Sequence, residues 1–286
     1  MAKLIRASGV AGVFLVLVLN LLLALAVRRA QASSRPVPPR MRTRIAVFGA
    51  GTLLLLIACL LPNGSVLPAM TGHVLLAFAV PPLLLLGIPR PVLVPLFAHR
   101  RSRHILLEMT RPARAAIIFL STLFLCYLPR AFEATLANDW LRFAMGLAIL
   151  VAALLFWWPV IEPFPTWERE LAEVGKLLYL FIGSSVLKAL GFILAITPRP
   201  IYTLPANAHP LWGLSAINDQ QYAGWLMVSA GTFVLLAAAT VICIRLLHEP
   251  GEDDGPPLPW PRRSDTGGKN FNVDIKWPQG PDSGAE

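Results

Sequence analysis

The sequence predicts an all-α fold, a polytopic membrane helix bundle of about seven transmembrane helices with a disordered cytoplasmic tail. Hydrophobic residues make up 56% of the 286-residue chain, charged residues make up 14%, and the mean hydropathy is +0.62. This composition is too apolar for a soluble domain of that length. Apolar stretches close to the length of about 20 residues that a membrane-spanning helix needs recur along the chain. Residues 249–286 are instead rich in Pro, Gly and charge, and they cannot bury enough apolar surface to fold alone.

Seven apolar stretches predict the transmembrane helices, namely 7–27, 45–61, 67–88, 114–129, 141–161, 177–197 and 222–244. The first has features of a signal peptide, because Lys3 and Arg6 precede it and residues 30–32 resemble a cleavage site. Its apolar run is longer than that of a signal peptide, however, and arginines follow it, so we expect a retained helix. The predicted parts of the chain are an N-terminal helix with a basic loop (1–44), a six-helix membrane domain (45–248) and the tail (249–286).

The positions of the arginines predict the orientation in the membrane. Segments 28–44 and 90–114 carry six arginines each, whereas 62–66, 130–142 and 198–221 carry few basic residues. By the positive-inside rule, the first two segments face the cytoplasm. With seven helices, this puts the N-terminus outside and the C-terminus inside a bacterial cytoplasmic (inner) membrane. The net charge of +9 therefore reflects orientation in the lipid bilayer, and we expect no nucleic-acid partner.

A histidine interrupts the oily stretch MTGHVLLAFAVPPLLLLGIPR (70–90). Met70 lies three residues before His73 and therefore on the same helical face. An imidazole and a thioether suit a soft or borderline metal such as copper, but two ligands do not make a site by themselves. A histidine that forms hydrogen bonds between helices is the simpler interpretation.

Pro81 and Pro82 break the same helix, because neither can donate a backbone hydrogen bond. The carbonyls of Ala77 and Phe78, four residues earlier, therefore lose their helical partners. In lipid such carbonyls are costly unless a neighbouring helix, a water molecule or a polar side chain meets them. We therefore expect this kinked segment, one turn from His73, to face the bundle interior.

The loop before the last helix, HPLWGLSAINDQQYAGWLM (209–227), supplies further polar candidates. His209 and Asp219 fall on the same predicted side of the membrane as His73. Asp219 either caps the helix that it begins, since Asp is favoured at helix N-termini, or contacts a metal or a partner. Gln220 and Gln221 follow it as candidate partner contacts.

Lys188 is the costliest residue within the apolar stretches. Its long side chain could reach toward the membrane surface. It could also pair with an acidic residue, either Asp219 or Glu133, or have a function of its own.

Trp157 and Trp158 precede prolines in FWWPVIEPFPTW (156–167). Paired tryptophans before prolines predict an interfacial belt and a helix stop. The sequence contains no nucleotide-binding loop, serine triad, CxxC pair or HExxH motif, so we expect no enzymatic activity.

Taken together, these motifs resemble the CtaG-like cytochrome c oxidase assembly factors associated with caa-type oxidases. The resemblance rests on HVLLAFAVPPLLLLGIP (73–89), LLFWWPV (154–160), the LYLFIG, LGFILA and PIY elements (178–202) and DQQYAGWLM (219–227). It implies a non-catalytic membrane protein that contacts cytochrome c oxidase subunits and aids copper insertion or subunit maturation. The corresponding copper or partner site would comprise Met70, His73, His209 and Asp219.

The chain also departs from the pattern of this family. The family commonly has a histidine one turn before His73, where this chain has Ala69, and histidines before the FWWP element, where it has Arg142, Met145 and Gly146. These departures deplete the metal site that the resemblance implies. Two other functions stay open from the sequence, a permease for copper or another small solute and a structural subunit of a respiratory complex.

Overall fold

The computed structural model describes residues 7–31, 39–62, 64–88, 100–163, 171–205 and 211–247. Every regular element within these ranges is helical, which confirms the predicted all-α class. The α-helices are α1 (Ala7–Gln31), α2 (Pro39–Leu60), α3 (Val66–Val74), α4 (Val80–Gly87), α5 (Arg100–Met109), α6 (Pro112–Tyr127), α7 (Pro129–Ala137), α8 (Asp139–Ile161), α9 (Glu173–Ile196) and α10 (Ala216–Leu247). A π-helical segment (Leu75–Ala79) joins α3 to α4, and a 3₁₀ turn (Leu211–Gly213) precedes α10.

A helix covers each of the seven predicted stretches, but the count of seven spans is not confirmed. The segments long and apolar enough to cross a membrane are Met41–Leu60, Val66–Gly87, Asp139–Ile161, Glu173–Ile196 and Ala216–Val241. Helices α5 and α6 meet at a bend of 72°, and together they would make a sixth, broken span. The apolar part of α1, Gly9–Leu25, is shorter than these. The chain is therefore a multi-pass membrane protein with five or six clear spans in its described part.

Residues 1–243 form one compact unit, and residues 244–286 form a second unit of which only the end of α10 is described. The predicted tail, residues 249–286, lies outside the described residues. The domain boundary expected at residue 44 stays a prediction.

Two glycines mark the crossing of α9 and α10. A Cβ atom on Gly191 would lie 2.8 Å from the carbonyl oxygen of Gly224, and one on Gly224 would lie 2.6 Å from the backbone nitrogen of Ala195. Small residues of this kind let membrane helices approach until their backbones touch. Helices α2 and α4 approach similarly where Gly87 faces the backbone of Phe48.

Aromatic rings fill the space between α6, α8 and α9 and the π-helical segment. Phe119 stacks on Phe156 with 4.5 Å between ring centroids, and Phe156 stacks on Tyr179 at 4.6 Å. Phe78 meets Phe119 edge to face at 6.4 Å. Such pairs contribute about 0.5–1.5 kcal/mol each beyond the effect of the area they bury. The interior next to the π-helical segment is therefore closely packed and apolar.

Two arginines show which helix ends lie together. Arg44 Nη1 donates to the carbonyl of Ile88 at 3.5 Å, so the start of α2 and the end of α4 share one end of the bundle. Arg142 Nη2 donates to the carbonyl of Leu61 at 2.9 Å, so the end of α2 and the start of α8 share the other. Cationic groups suit these positions because helix C-termini carry partial negative charge. The second end is named the His73 end, because α3 begins there and carries His73.

Candidate functional site

His73 is buried near the start of the broken helix, with 5% of the residue exposed. Its ring contacts Tyr127 and Phe132, with centroid distances of 5.8 Å and 6.0 Å. Nδ1 of His73 has no hydrogen-bond partner among the residues that the structure describes. Met70, predicted on the same face, is completely buried. A buried imidazole with one open nitrogen is a candidate for binding a ligand, a water molecule or a partner group.

A cavity of about 40 Å³ adjoins His73, which is enough space for a few water molecules. Its polar wall consists of Cys59 from α2, His73 from α3 and Arg142 from α8. Ala69 and Gly146 line the same cavity. Of the four positions at which the family resemblance implies histidine, those of Ala69, Arg142 and Gly146 therefore surround one space beside His73, whereas Met145 does not line it.

The double proline and the π-helical segment form a kink one turn beyond His73. Nε1 of Trp157, in α8, donates to the carbonyl oxygen of Ala77 at 3.0 Å, and this hydrogen bond is buried. Pro81 cannot supply the helical N–H that this carbonyl would otherwise accept from. A neighbouring helix thus provides the partner that the exposed carbonyl requires, and the kink faces the bundle interior as expected.

Trp157 and Trp158 do not form the expected interfacial belt. They are only 6% and 9% exposed, and both belong to the hydrophobic core. The helix stop does lie where the predicted stretch ends: Pro159 is inside α8, and α8 ends at Ile161. A buried indole N–H needs an acceptor. The prolyl kink of the neighbouring helix provides one for Trp157, so this residue acts inside the bundle.

Asp219 lies in the first turn of α10 and is completely buried. Its carboxylate accepts hydrogen bonds from the backbone N–H groups of Val66, at 2.6 Å, and Leu67, at 3.3 Å. These are the first residues of α3, so Asp219 caps α3 and not the helix that it begins. Ser215 serves α10 instead, since its Oγ accepts from the N–H of Asn218 at 3.2 Å. The negative charge of Asp219 also suits the positive end of the α3 dipole.

Gln220 is buried beside Asp219 and ties α10 to the chain that follows α9. Its Oε1 accepts from the N–H of Ile201 at 2.6 Å, and its Nε2 donates toward the carbonyls of Leu194 and Arg199 at 3.3 Å and 3.4 Å. Gln221 is partly exposed. Two adjacent side chains therefore attach two different segments to the start of α10.

Residues 197–205 are held from the other side by α6 and α7. The hydroxyl of Tyr202 donates to the carbonyl of Tyr127 at 3.1 Å, and a carboxylate oxygen of Glu133 accepts from the N–H of Thr203 at 2.7 Å. Burial, together with the nearby Glu133 carboxylate, raises the pKa of Tyr202, so the hydroxyl stays protonated and remains a donor. The sequence alone does not predict this role of Tyr202, which belongs to the PIY element.

Lys188 pairs with neither of the acids proposed for it. The carboxylates of Asp219 and Glu133 are bound to backbone N–H groups instead. Nζ of Lys188 lies 5.4 Å from the centre of the Phe181 ring, a cation–π contact. The lysine stem packs on Gly231. An aromatic ring of its own helix thus contacts the ammonium group, and neither of the two acids does.

The described residues do not fit a resident metal centre. No three His, Cys, Asp or Glu side chains among them are grouped so that they could hold a metal ion. Both oxygens of Asp219 are used at the start of α3, roughly 10 Å along the helix axis from His73. Arg142 adds a positive charge to the cavity wall, which opposes a cation there. The remaining candidate ligand, His209, lies outside the described residues.

A family model, Caa3_CtaG, described as cytochrome c oxidase caa3 assembly factor, matches residues 21–249. No curated protein and no solved structure shows significant similarity to the chain.

Proposed function

Because the chain belongs to the family of cytochrome c oxidase caa3 assembly factors, we propose that it helps to mature a haem-copper cytochrome c oxidase. The observation that carries this proposal is the family match, which extends from α1 to the end of α10. In this proposal the chain binds oxidase subunits and catalyses no reaction itself. The arginine distribution supports placing the His73 end outside a bacterial cytoplasmic membrane.

The His73 end is the proposed contact region for an oxidase subunit. Asp219 and Gln220 fasten α3, α10 and residues 197–205 to one another, and Tyr202 fastens that loop to α6. Each of these bonds is buried or partly buried, so the region has little freedom to rearrange when a partner binds. A preorganised surface of this kind lowers the entropic cost of association.

Within this region, the four predicted site residues have different proposed roles. His73 offers an open nitrogen beside the cavity, and Met70 packs behind it in the core. Asp219 acts through α3, whose position it fixes. His209 belongs to the loop that leads into α10, and its part in partner contact rests on the sequence alone.

Copper enters this proposal as a cofactor of the oxidase and not as a ligand of this chain. A single buried imidazole, with an arginine on the same cavity wall, is a poor donor set for a copper ion. No step of the proposed mechanism therefore passes through a copper ion bound at His73.

The packing of the interior gives the permease alternative no support. A solute path would need polar groups that continue along one face from His73. The side chains next in line are instead those of Phe78, Phe119 and Phe156, which are buried against one another.

Deletion of the gene tests the proposal directly. We expect the deletion strain to lose most of its assembled oxidase, seen as reduced haem a absorbance and lower oxidase copper in purified membranes. Expression of the full chain from a plasmid should restore both. A deletion strain whose oxidase has normal haem, normal copper and full activity would refute the assembly function.

A structural subunit is distinguished by stoichiometry. An assembly factor leaves the finished complex, whereas a structural subunit stays at one copy per oxidase. We expect affinity-purified, active oxidase to lack this chain, and we expect the chain to copurify with oxidase subunits that have not yet received all their cofactors. Its retention in active oxidase at one copy per complex would favour the structural alternative.

A further inference from the structure

Helix α5 is a short, basic, amphipathic helix that lies between two of the predicted apolar stretches. Arg101, Arg103 and His104 are exposed on it. Ile105 and Met109, one turn apart, are also exposed, at 52% and 41%. Arg101, one turn before Ile105, borders the same face, whereas Arg103 and His104 lie further round the helix. A helix on which exposed cationic residues border exposed apolar residues matches the pattern of helices that lie in a membrane surface.

The geometry of the α5–α6 junction places α5 across the direction of the spanning helices. The two helices meet at 72°, and Pro112 begins α6 directly after the break. Glu108 forms salt bridges with Arg111, at 3.0 Å, and with Arg114, which fix the two sides of the junction together. Since α6 packs along the spanning helix α8, a helix inclined at 72° to α6 is directed across the bundle and not along it.

Further exposed cationic residues lie at the same end of the bundle. The hydrogen bond from Arg44 to Ile88 joins the start of α2 to the end of α4, at the end of the bundle opposite the His73 end. Helix α5 lies there too, because α6 runs from α5 to Tyr127, which contacts His73. Arg42, at the start of α2, is exposed. Salt bridges within the described part of the chain include neither Arg101 nor Arg103. The negative charge of Glu108 is neutralised by Arg111 and Arg114. The exposed charge of this end is therefore positive.

We propose that α5 is a membrane-surface helix that binds the headgroups of anionic phospholipids through Arg101 and Arg103, while Ile105 and Met109 insert among the acyl chains. Basic residues at this depth are attracted to anionic lipid, and the effect adds over the residues involved. An acidic protein segment would match the charges but would not account for two apolar side chains at the level of the membrane surface. Lipid matches both, and the adjoining α6 holds α5 beside it.

Spin labels on the full-length protein test the depth of α5. In a background without native cysteines, Ile105→Cys, Met109→Cys and His104→Cys each receive one label, and each protein is placed in nanodiscs of phosphatidylcholine with phosphatidylglycerol. We expect the labels at 105 and 109 to be accessible to oxygen but protected from a water-soluble nickel reagent. The label at 104 is the aqueous control. Water-exposed labels at all three positions would overturn the proposal.

The double variant R101Q/R103Q tests the lipid specificity. We expect its retention of phosphatidylglycerol through detergent purification to fall on the order of tenfold, with helix content unchanged by circular dichroism. Arg130→Gln, which removes an exposed arginine from α7, is the control and should retain the lipid. Unchanged retention in the double variant would overturn the proposal. Equal loss in both proteins would do so too, because the effect would then come from net charge alone. Loss of an acidic oxidase subunit, with lipid retained, would assign the surface to a protein instead.

Discussion

A single buried carboxylate joins two helices that lie far apart in the sequence. Asp219 belongs to the first turn of α10, yet both of its oxygens accept from the N-terminal N–H groups of α3. Within a membrane protein, an uncapped helix start in the interior would leave donors unpaired at considerable cost. The Asp219 side chain therefore fixes the position of α3, the helix that carries His73.

Asp219→Ala should destabilise the protein because it leaves the buried N–H of Val66 and the partly buried N–H of Leu67 without their acceptor. The expected loss is about 1–3 kcal/mol for each group left unpaired, seen as a lower midpoint of thermal unfolding in detergent. Asp219→Asn keeps one side-chain oxygen and should lie between the wild type and Asp219→Ala. Asn218→Ala, at the exposed neighbouring position, is the control and should unfold like the wild type. If both alanine variants unfold alike, the cap contributes no measurable stability.

His73→Ala should impair oxidase maturation without removing the protein from the membrane. The reason is that the imidazole nitrogen Nδ1 makes no hydrogen bond within the described structure, so its loss breaks no internal bond of that atom. In the deletion strain, the variant should restore less haem a absorbance than the wild type at equal abundance on immunoblots. His104→Ala, an exposed histidine at the other end of the bundle, is the matched control. Full restoration by His73→Ala would remove His73 from the mechanism.

At the scale of elements, the broken helix between residues 66 and 87 shows how a sequence can specify an irregular segment in lipid. Pro81 removes one donor, the helix widens into a π-helical segment, and Trp157 of α8 supplies a donor to Ala77. The kink and the tryptophan thus depend on each other. Neither is costly in the presence of the other, because the buried carbonyl and the buried indole satisfy each other.

Trp157→Phe should therefore destabilise the protein more than the loss of a few atoms would suggest. The substitution keeps an aromatic side chain but leaves the Ala77 carbonyl unpaired, at an expected cost of about 1–3 kcal/mol. The unfolding midpoint in detergent measures this cost. Trp225→Phe makes the same chemical change at a half-exposed position of α10 and should have little effect. Equal midpoints for the two variants would mean that the hydrogen bond to Ala77 contributes nothing.

The sequence predicts the long helices and the kink but not the short helices or the partners of buried side chains, for physical reasons. Apolar length locates the long helices, and proline chemistry locates the kink, because both depend on local sequence. Apolar length does not predict the short helices α5 and α7. Helix α5 is mostly polar, and each of the two is too short to cross the bilayer. The target of Asp219 and the partner of Lys188 depend on which helices become neighbours, and hydrophobic periodicity carries no information about that.

For the whole molecule, the number of membrane crossings depends on α1, whose apolar part is shorter than those of the other long helices. Its apolar part has 17 residues, a length of about 26 Å, slightly less than the hydrocarbon thickness of about 30 Å. Its contacts nevertheless place it along α2. Gly9 lies against Leu60 and Gly12 against Cys59, so the start of α1 lies beside the end of α2. Helix α1 therefore runs antiparallel to a helix that is long enough to span.

We therefore predict that α1 crosses the bilayer and that the two termini of the chain lie on opposite sides of the membrane. The short apolar length is tolerable because a helix beside a bundle can be matched by local thinning of the bilayer and by flanking residues such as Arg28. Protease treatment of intact spheroplasts that carry the full chain with an epitope tag at either end measures this. The N-terminal tag should be removed and the C-terminal tag protected until the cells are lysed. Protection of both tags in intact spheroplasts would place α1 on the membrane surface, and would make the number of spans even.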